Sequence, residues 1–236
     1  MSLHLLREIE KLKRMVLALS TEVEENVRRA VTAIEKRDEP LARRVIDADT
    51  DIDRREIEVE EECLKALALH QPVAIDLRFI VSVLKINNDL ERIDDLAVNI
   101  AERALLLARK PPVTLAFDFG AMADKAQAML RKSLDALVNF DAEMAREVMI
   151  SDDEVDAMNR QMYDEIKLAI RRNPDDVGSL LHLLSASRHL ERIADHATNI
   201  AEDIIYMLKG EIVRHLPDNE RQRPNGQPPK PNNQPG

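Results

Sequence analysis

The thirteen residues LERIDDLAVNIAE, from Leu90 to Glu102, return as LERIADHATNIAE from Leu190 to Glu202, an offset of 100 positions (190 − 90). Upstream, the block from Val45 to Asp53 aligns with Val148 to Asp156 at an offset of 103 (148 − 45). Two blocks in the same order at nearly the same offset point to duplication of a whole multi-element unit rather than of one short motif. The constraint on folding is severe. Whatever architecture the first copy adopts the second adopts too, and each must find a partner for its apolar face.

The elements themselves are helical. From Leu3 to about Glu35 apolar residues fall at Leu5, Ile9, Leu12, Val16, Leu19, Val23, Val27, Ala30 and Ile34, the spacing of a long amphipathic helix. Asp38-Glu39-Pro40 ends it and opens a second helix from about Leu41 to His70. Gln71-Pro72 separates that from a third, from about Val73 to Arg109. Pro111-Pro112 is a firm stop, because proline lacks the amide donor and clashes with the preceding turn. The second round predicts helices at about Leu115–Phe140, Asp141–Arg172 and Val177–Lys209, with Asn173-Pro174-Asp175-Asp176 as a turn. The expected fold class is therefore all-α: two tandem three-helix bundles related by internal duplication, over residues 1–110 and 113–216. Residues 217–236, rich in Pro, Asn and Gln, hold too little apolar surface to order themselves and are expected to be disordered.

Composition removes several function classes. The 236 residues include no Trp, 2 Tyr and 4 Phe, so the core must be aliphatic and aromatic platforms for stacking bases are lacking. The formal net charge of −10 repels phosphate backbones at long range, so nucleic acid is not an expected partner, whereas cations and basic surfaces are. Cys63 is the only cysteine, which excludes an internal disulfide and fits a cytoplasmic setting. The N-terminal MSLHLLREIEKLKR lacks the apolar core of a signal peptide, and no apolar run approaches the ~18–20 residues of a membrane span. Association with a membrane is expected to be peripheral, through partners.

Chemistry is concentrated in acidic lines. In the third helix Glu91, Asp95, Asn99 and Glu102 step by four, four and three, nearly opposite the apolar stripe of Ile86, Leu90, Ile93, Ala97, Ile100 and Ala104. Glu91 and Asp95 form a like-charge i,i+4 pair that costs roughly a few tenths of a kcal/mol in an isolated helix, and a bound cation would remove the cost. The pair recurs as Glu191 and Asp195, followed by Asn199. The second helix offers Asp49, Asp53, Glu56 and Glu60 in one line; its later counterpart offers Asp152, Asp156, Asn159 and Tyr163. Carboxylates and amide oxygens suit Mg, Mn, Ca or Fe, and Zn through oxygen and nitrogen donors, while a thiolate zinc site is excluded by the cysteine count. His189 and His196 flank the second line and would favour a borderline metal there. The competing reading is that these are solvated faces neutralised by neighbours such as Arg92 and Arg192.

Signals for catalysis are poor. The chain has no GxSxG, no glycine-rich phosphate loop, no HExxH and no dinucleotide fingerprint. Di-iron bundle enzymes carry Glu-x-x-His on two helices, and that motif is absent. Cys63 sits among glutamates that would raise its pKa, against a nucleophilic role. A metal-dependent hydrolase with a two-metal site, or a metal-storage bundle, are the alternatives to a non-catalytic protein.

DLERIDDLAVNIAE and HLERIADHATNIAE, together with QPVAIDLR from Gln71 to Arg78 and VIDADTDID from Val45 to Asp53, resemble the PhoU family, the phosphate-specific transport system accessory proteins. The resemblance covers the first helix to about Lys209. It implies two three-helix bundles, commonly in a homodimer, with metal ions held by repeated E/D-x-x-x-D motifs at Glu91/Asp95 and Glu191/Asp195, supported by Asp49/Asp53 and Asp152/Asp156, with Asn99 and Asn199 matching the asparagine that follows. It further implies a cytoplasmic, non-enzymatic negative regulator of the phosphate-starvation response, acting between the phosphate ABC transporter and a sensor histidine kinase. The first motif departs from the family pattern at Asp94 and Leu96, where a small residue and a histidine are usual. The two sites are therefore expected to differ in metal number or affinity.

Overall fold

The computed structural model describes residues Leu3–Val213; residues 1, 2 and 214–236 lie outside it, and with them the expectation for the tail. Six α-helices follow one another: α1 (Leu3–Lys36), α2 (Glu39–His70), α3 (Ala74–Ala108), α4 (Phe119–Asn139), α5 (Ala142–Arg172) and α6 (Val177–Lys209), with a 3-10 turn at Pro174–Asp176 before α6. Among the described residues there is no strand, and no helix is long and apolar enough to cross a membrane.

The helix ends follow local chemistry. Asp38 caps α2, its carboxylate accepting from the Leu41 amide at 2.9 Å, and Pro40 lies in the first turn where no donor is lost. Asp141 caps α5 by accepting from the Glu143 and Met144 amides. The chain leaves α6 at Gly210, with φ +73°, the left-handed conformation that a Cβ disfavours. One boundary differs from expectation. α4 begins at Phe119 rather than near Leu115, because the Asp118 carboxylate caps it on the Ala121 amide. The preceding residues Val113, Leu115 and Phe117 instead pack over a small cluster of Met162, Ile166 and Leu180.

Each triplet closes on its own third helix: α1 and α2 both pack on α3, α4 and α5 both pack on α6. The largest inter-helix interface, however, joins α3 to α6. Ser82 meets the Asp203 carbonyl at 3.2 Å and Asp89 meets His196 at 2.7 Å, so the two helices run antiparallel. That register brings Ile93 and Ile193, both fully buried, to the middle of the seam. Leu12, Val27, Ile86, Ile93, Leu130, Ile193 and Ile200 all belong to one continuous apolar core spanning both triplets. The duplicated unit is thus two bundles in sequence and one core in space.

Truncating Ile93→Ala deletes a fully buried side chain at this shared face. We expect a loss of about 2–5 kcal/mol in urea unfolding. Because the core is continuous, probes in the first and second triplets should report one coincident transition.

Candidate metal centre

In the first triplet α2 and α3 face their acidic lines toward each other. Asp49, Asp53 and Glu56 on α2 lie within electrostatic reach of Glu91 and Asp95 on α3. Burial, reinforced by these neighbouring carboxylates, raises the pKa of Asp49, Glu56 and Glu91 above the ordinary range. In the second triplet Asp152 and Asp156 on α5 face Glu191 on α6. Glu191 and Asp195 are raised in the same way, burial first and then acidic neighbours. The four motifs singled out from spacing therefore come together in two pairs.

The neutralisation of the two lines differs. Arg188 and Arg192 both oppose the rise at Glu191, and Arg160 stands 3.6 Å from Asp156. In the first line only Arg92 opposes the rise at Glu91. The simple reading of solvated, arginine-balanced faces thus accounts better for the second line than for the first.

Behind the first line lies a buried polar row that spacing alone did not mark. Asp94 is 1% exposed; its Oδ1 accepts from Asn26 Nδ2 at 3.0 Å, and its Oδ2 has no hydrogen-bond partner. Burial pushes its carboxyl up to about 7, with Asp49, Asp53 and Asp95 adding to the rise and Asn26 opposing it. About two helical turns earlier, Asn87 donates to the Glu56 carbonyl at 3.0 Å and to Glu56 Oε1 at 2.7 Å, leaving its own Oδ1 buried and unpartnered. The corresponding residues of the second half are Ser187, whose hydroxyl donates to Asn159 at 3.2 Å, and Ala194. The signal that could have found Asp94 is its place four residues after Leu90 and three before Ala97, on the apolar side of the helix.

The remaining candidates fall elsewhere. Asn99 donates to the Asp95 carbonyl of its own helix at 2.7 Å, which leaves its amide oxygen available. Asn199 donates to Asp89 of the other triplet at 3.3 Å, so it serves the seam more than the second line. The histidines expected to season that line are also turned to the seam: His196 uses Nδ1 for Asp89, while His189 holds Ser185 at 3.2 Å. Burial and then Arg103, Arg192 and Arg188 depress the His189 pKa to about 4. Cys63 is buried and its thiol is pushed up to about 12 by burial and by Glu60 and Glu62, as its sequence context implied.

The donor set is all oxygen, carboxylate and amide, which fits a hard cation. The orphaned oxygens of Asp94 and Asn87 fit it as well, since each lacks a donor that the protein itself supplies. Among the described residues, no three His, Cys, Asp or Glu side chains form a ready-made cage. The geometry is that of two facing lines.

The PhoU domain model matches residues 16–104 and 119–204, one copy for each triplet. The chain belongs to the PhoU family. The phosphate-specific transport system accessory protein PhoU homolog of Aquifex aeolicus is 38% identical over 211 residues, covering 89% of this chain and 96% of that protein. The homolog of Pseudomonas putida is 37% identical over 210 residues, covering 89% and 82%. The crystal structure of PhoU from Pseudomonas aeruginosa superposes with a TM-score of 0.82 at 35% identity, covering 87% of this chain and 99% of that one. The phosphate transport system regulatory protein PhoU from Streptococcus pneumoniae gives 0.79 at 28% identity, covering 89% and 99%. Both PhoU domains carry the acidic pairs, so the lines belong to the repeat and the row behind the first line to one copy of it.

A carboxyl whose folded pKa is raised takes up a proton on folding, so it costs stability as pH rises from its ordinary value to its folded one. For Asp94 that window runs from 3.8 to about 7. In metal-free protein, Asp94→Asn should raise stability near pH 8 by roughly 2–4 kcal/mol and change it little near pH 4. Urea titrations at the two pH values measure the difference.

Proposed function

We propose that this protein is a non-enzymatic accessory protein of a phosphate-specific transport system that lowers phosphate uptake and the phosphate-starvation response. It acts in the cytoplasm as a metal-binding adaptor between the phosphate ABC transporter and a sensor histidine kinase. The observation that carries this reading is the pair of facing carboxylate lines within a chain that matches two PhoU domains. Its relatives, named as phosphate-specific transport system accessory proteins, supply the transport system.

Asp49, Asp53, Glu91 and Asp95 would hold a cation in the first half, and Asp152, Asp156, Glu191 and Asp195 in the second. Asn99 would add an amide oxygen, while Asn199 is committed in part to Asp89. Fe, Mn, Mg or Zn would neutralise carboxylates whose pKa values burial, and then mutual repulsion, raise. A neutralised line ties α2 to α3, or α5 to α6, and alters the surface those helices offer to a partner. The adaptor then needs only different affinities for the partner's two states to shift their populations. Ile57 and Leu64, seven residues apart and half exposed on α2, supply an apolar strip suited to a second copy in a homodimer.

Replacing Glu91→Ala together with Asp95→Ala should lower the metal content per chain while helicity stays near wild type. Elemental analysis beside circular dichroism reads both, and unchanged stoichiometry would sink the assignment. A gene-deletion strain grown in abundant phosphate should show high output from a phosphatase reporter, reversed by the intact gene. Output that stays low would count against the regulatory role.

A further inference from the structure

Where the end of α3 meets the start of α6, the prevailing charge of the molecule reverses. Arg103 and Lys110 share one face of α3, and His182, Ser185 and His189 share one face of α6. Lys110 and Arg103 both act on His182, and Arg103 acts on His189, so the two faces look at each other. Every charge that moves either histidine is positive. Arg188 and Arg192, which also act on His189, already balance Glu191 and belong to the second acidic line. In a chain of net charge −10 this flank is a local exception.

Its cations lack the partners that such groups usually have. Arg103 Nε is buried with no acceptor, and the carboxylate that Arg103 does meet, Glu102, is half exposed and 3.8 Å from Nη2. Lys110 would ordinarily answer the carbonyl end of its own helix, but Arg37 donates to the Leu107 and Lys110 carbonyls instead. The Lys110 ammonium turns to the first turn of α6, 2.9 Å from where a Cβ on Gly178 would stand. That helix end is itself partly positive. Asp175 and Asp176 lie in the turn that leads into it, but Asp176 accepts from Asn173 and does not cap the helix. Among the described residues neither Lys110 nor His182 has an ion-pair partner.

The repeat allows a comparison position by position. The residues that match Arg103, Ser185, His182, His189, Lys110 and Gly178 on the opposite flank of the seam are Asp203, Lys85, Ser82, Asp89, Gly210 and Arg78. Asn99 and Glu102 have identical counterparts in Asn199 and Glu202, and Leu96 stands where His196 does. On the opposite flank Lys85 pairs with Asp203 at 3.2 Å and His196 with Asp89 at 2.7 Å, so the protein balances its own charges. On this flank Arg103 takes the place of the carboxylate and Ser185 that of the lysine. A cation is left where the other flank holds a closed pair.

We propose that this basic groove binds inorganic phosphate, Arg103 and Lys110 supplying the charge, His182 and Ser185 the further hydrogen bonds. Guanidinium and ammonium groups both hold phosphate oxygens through charge-assisted bonds. Burial, and then Lys110 and Arg103, favour the neutral form of His182. Phosphate near neutrality keeps a P–OH that can donate to a neutral ring nitrogen, whereas sulfate has none. The choice of phosphate among oxyanions rests on the transport-system reading; the groove itself does not.

The test is equilibrium dialysis of labelled phosphate against the metal-free full-length chain at fixed ionic strength. One saturable phosphate per chain is expected, with sulfate competing about tenfold more weakly. Arg103→Gln and Lys110→Gln should each weaken binding about tenfold, the scale of one charge-assisted contact. Ser185→Glu, which brings a carboxylate to the face opposite Arg103, should abolish it. Arg44→Gln removes an exposed cation from α2 and should change nothing. Lys110 is exposed, so its variant carries the test if circular dichroism shows the Arg103 variant misfolded. Absence of saturable binding, or equal weakening in every variant including Arg44→Gln, overturns the proposal, and sulfate competing equally overturns the choice of phosphate. Failed dialysis beside a deletion strain with high reporter output sinks this inference alone. Phosphate binding beside low reporter output sinks the regulatory reading alone.

Discussion

Antiparallel packing of α3 against α6 is the contact from which the other features follow. Each of these helices already packs against two neighbours from its own triplet, so the seam adds a third buried flank. A helix buried on those flanks must be apolar along them, and a polar group placed there is costly unless it finds a partner. Ser82, Asp89, Asp203 and His196 find theirs across the seam. The repeated sequence thus gains a mutual core without a sheet, disulfide or aromatic cluster.

Burial and charge meet on the outer flank of the same two helices. The acidic lines stand where α3 and α6 emerge toward α2 and α5, half withdrawn from water. In full solvent such carboxylates would repel weakly and be screened. Partial burial removes that screening and raises their pKa values, which is the physical condition under which a cation is worth most. The two halves reach this condition to different extents. Arginines relieve the second line, whereas the first has Asp94 and Asn87 behind it with oxygens to spare. Duplication therefore produced two related acidic lines that differ in how far arginines balance them, and metal-free protein should feel the repulsion in the first more strongly.

Much of this was legible beforehand. The 3.6-residue period and the breaks at Pro40, Pro72, Pro111-Pro112 and Pro174 located five of the six helices to within a few residues, and the start of α4 slipped because residues 113–117 are mostly apolar yet not helical. Spacing along single helices also found Glu91/Asp95 and Glu191/Asp195, since i,i+4 adjacency needs no tertiary information. It could not orient His189 and His196. Both sit on the side of α6 that meets α3, and a single-helix reading has no way to tell a flank facing α5 from one facing the other triplet.

The sequence by itself determined local and repeated properties: helix lengths, their ends, the doubling of the unit and the acidic pairs. These depend on residues within one or two turns of each other, where backbone geometry fixes the neighbours. Only the tertiary structure decided that the two bundles share a core, that Asp94 is buried against Asn26, and that His196 meets Asp89 across the seam. Those depend on which face of each helix meets which neighbour, a choice made by packing of whole apolar surfaces rather than by any short stretch of chain.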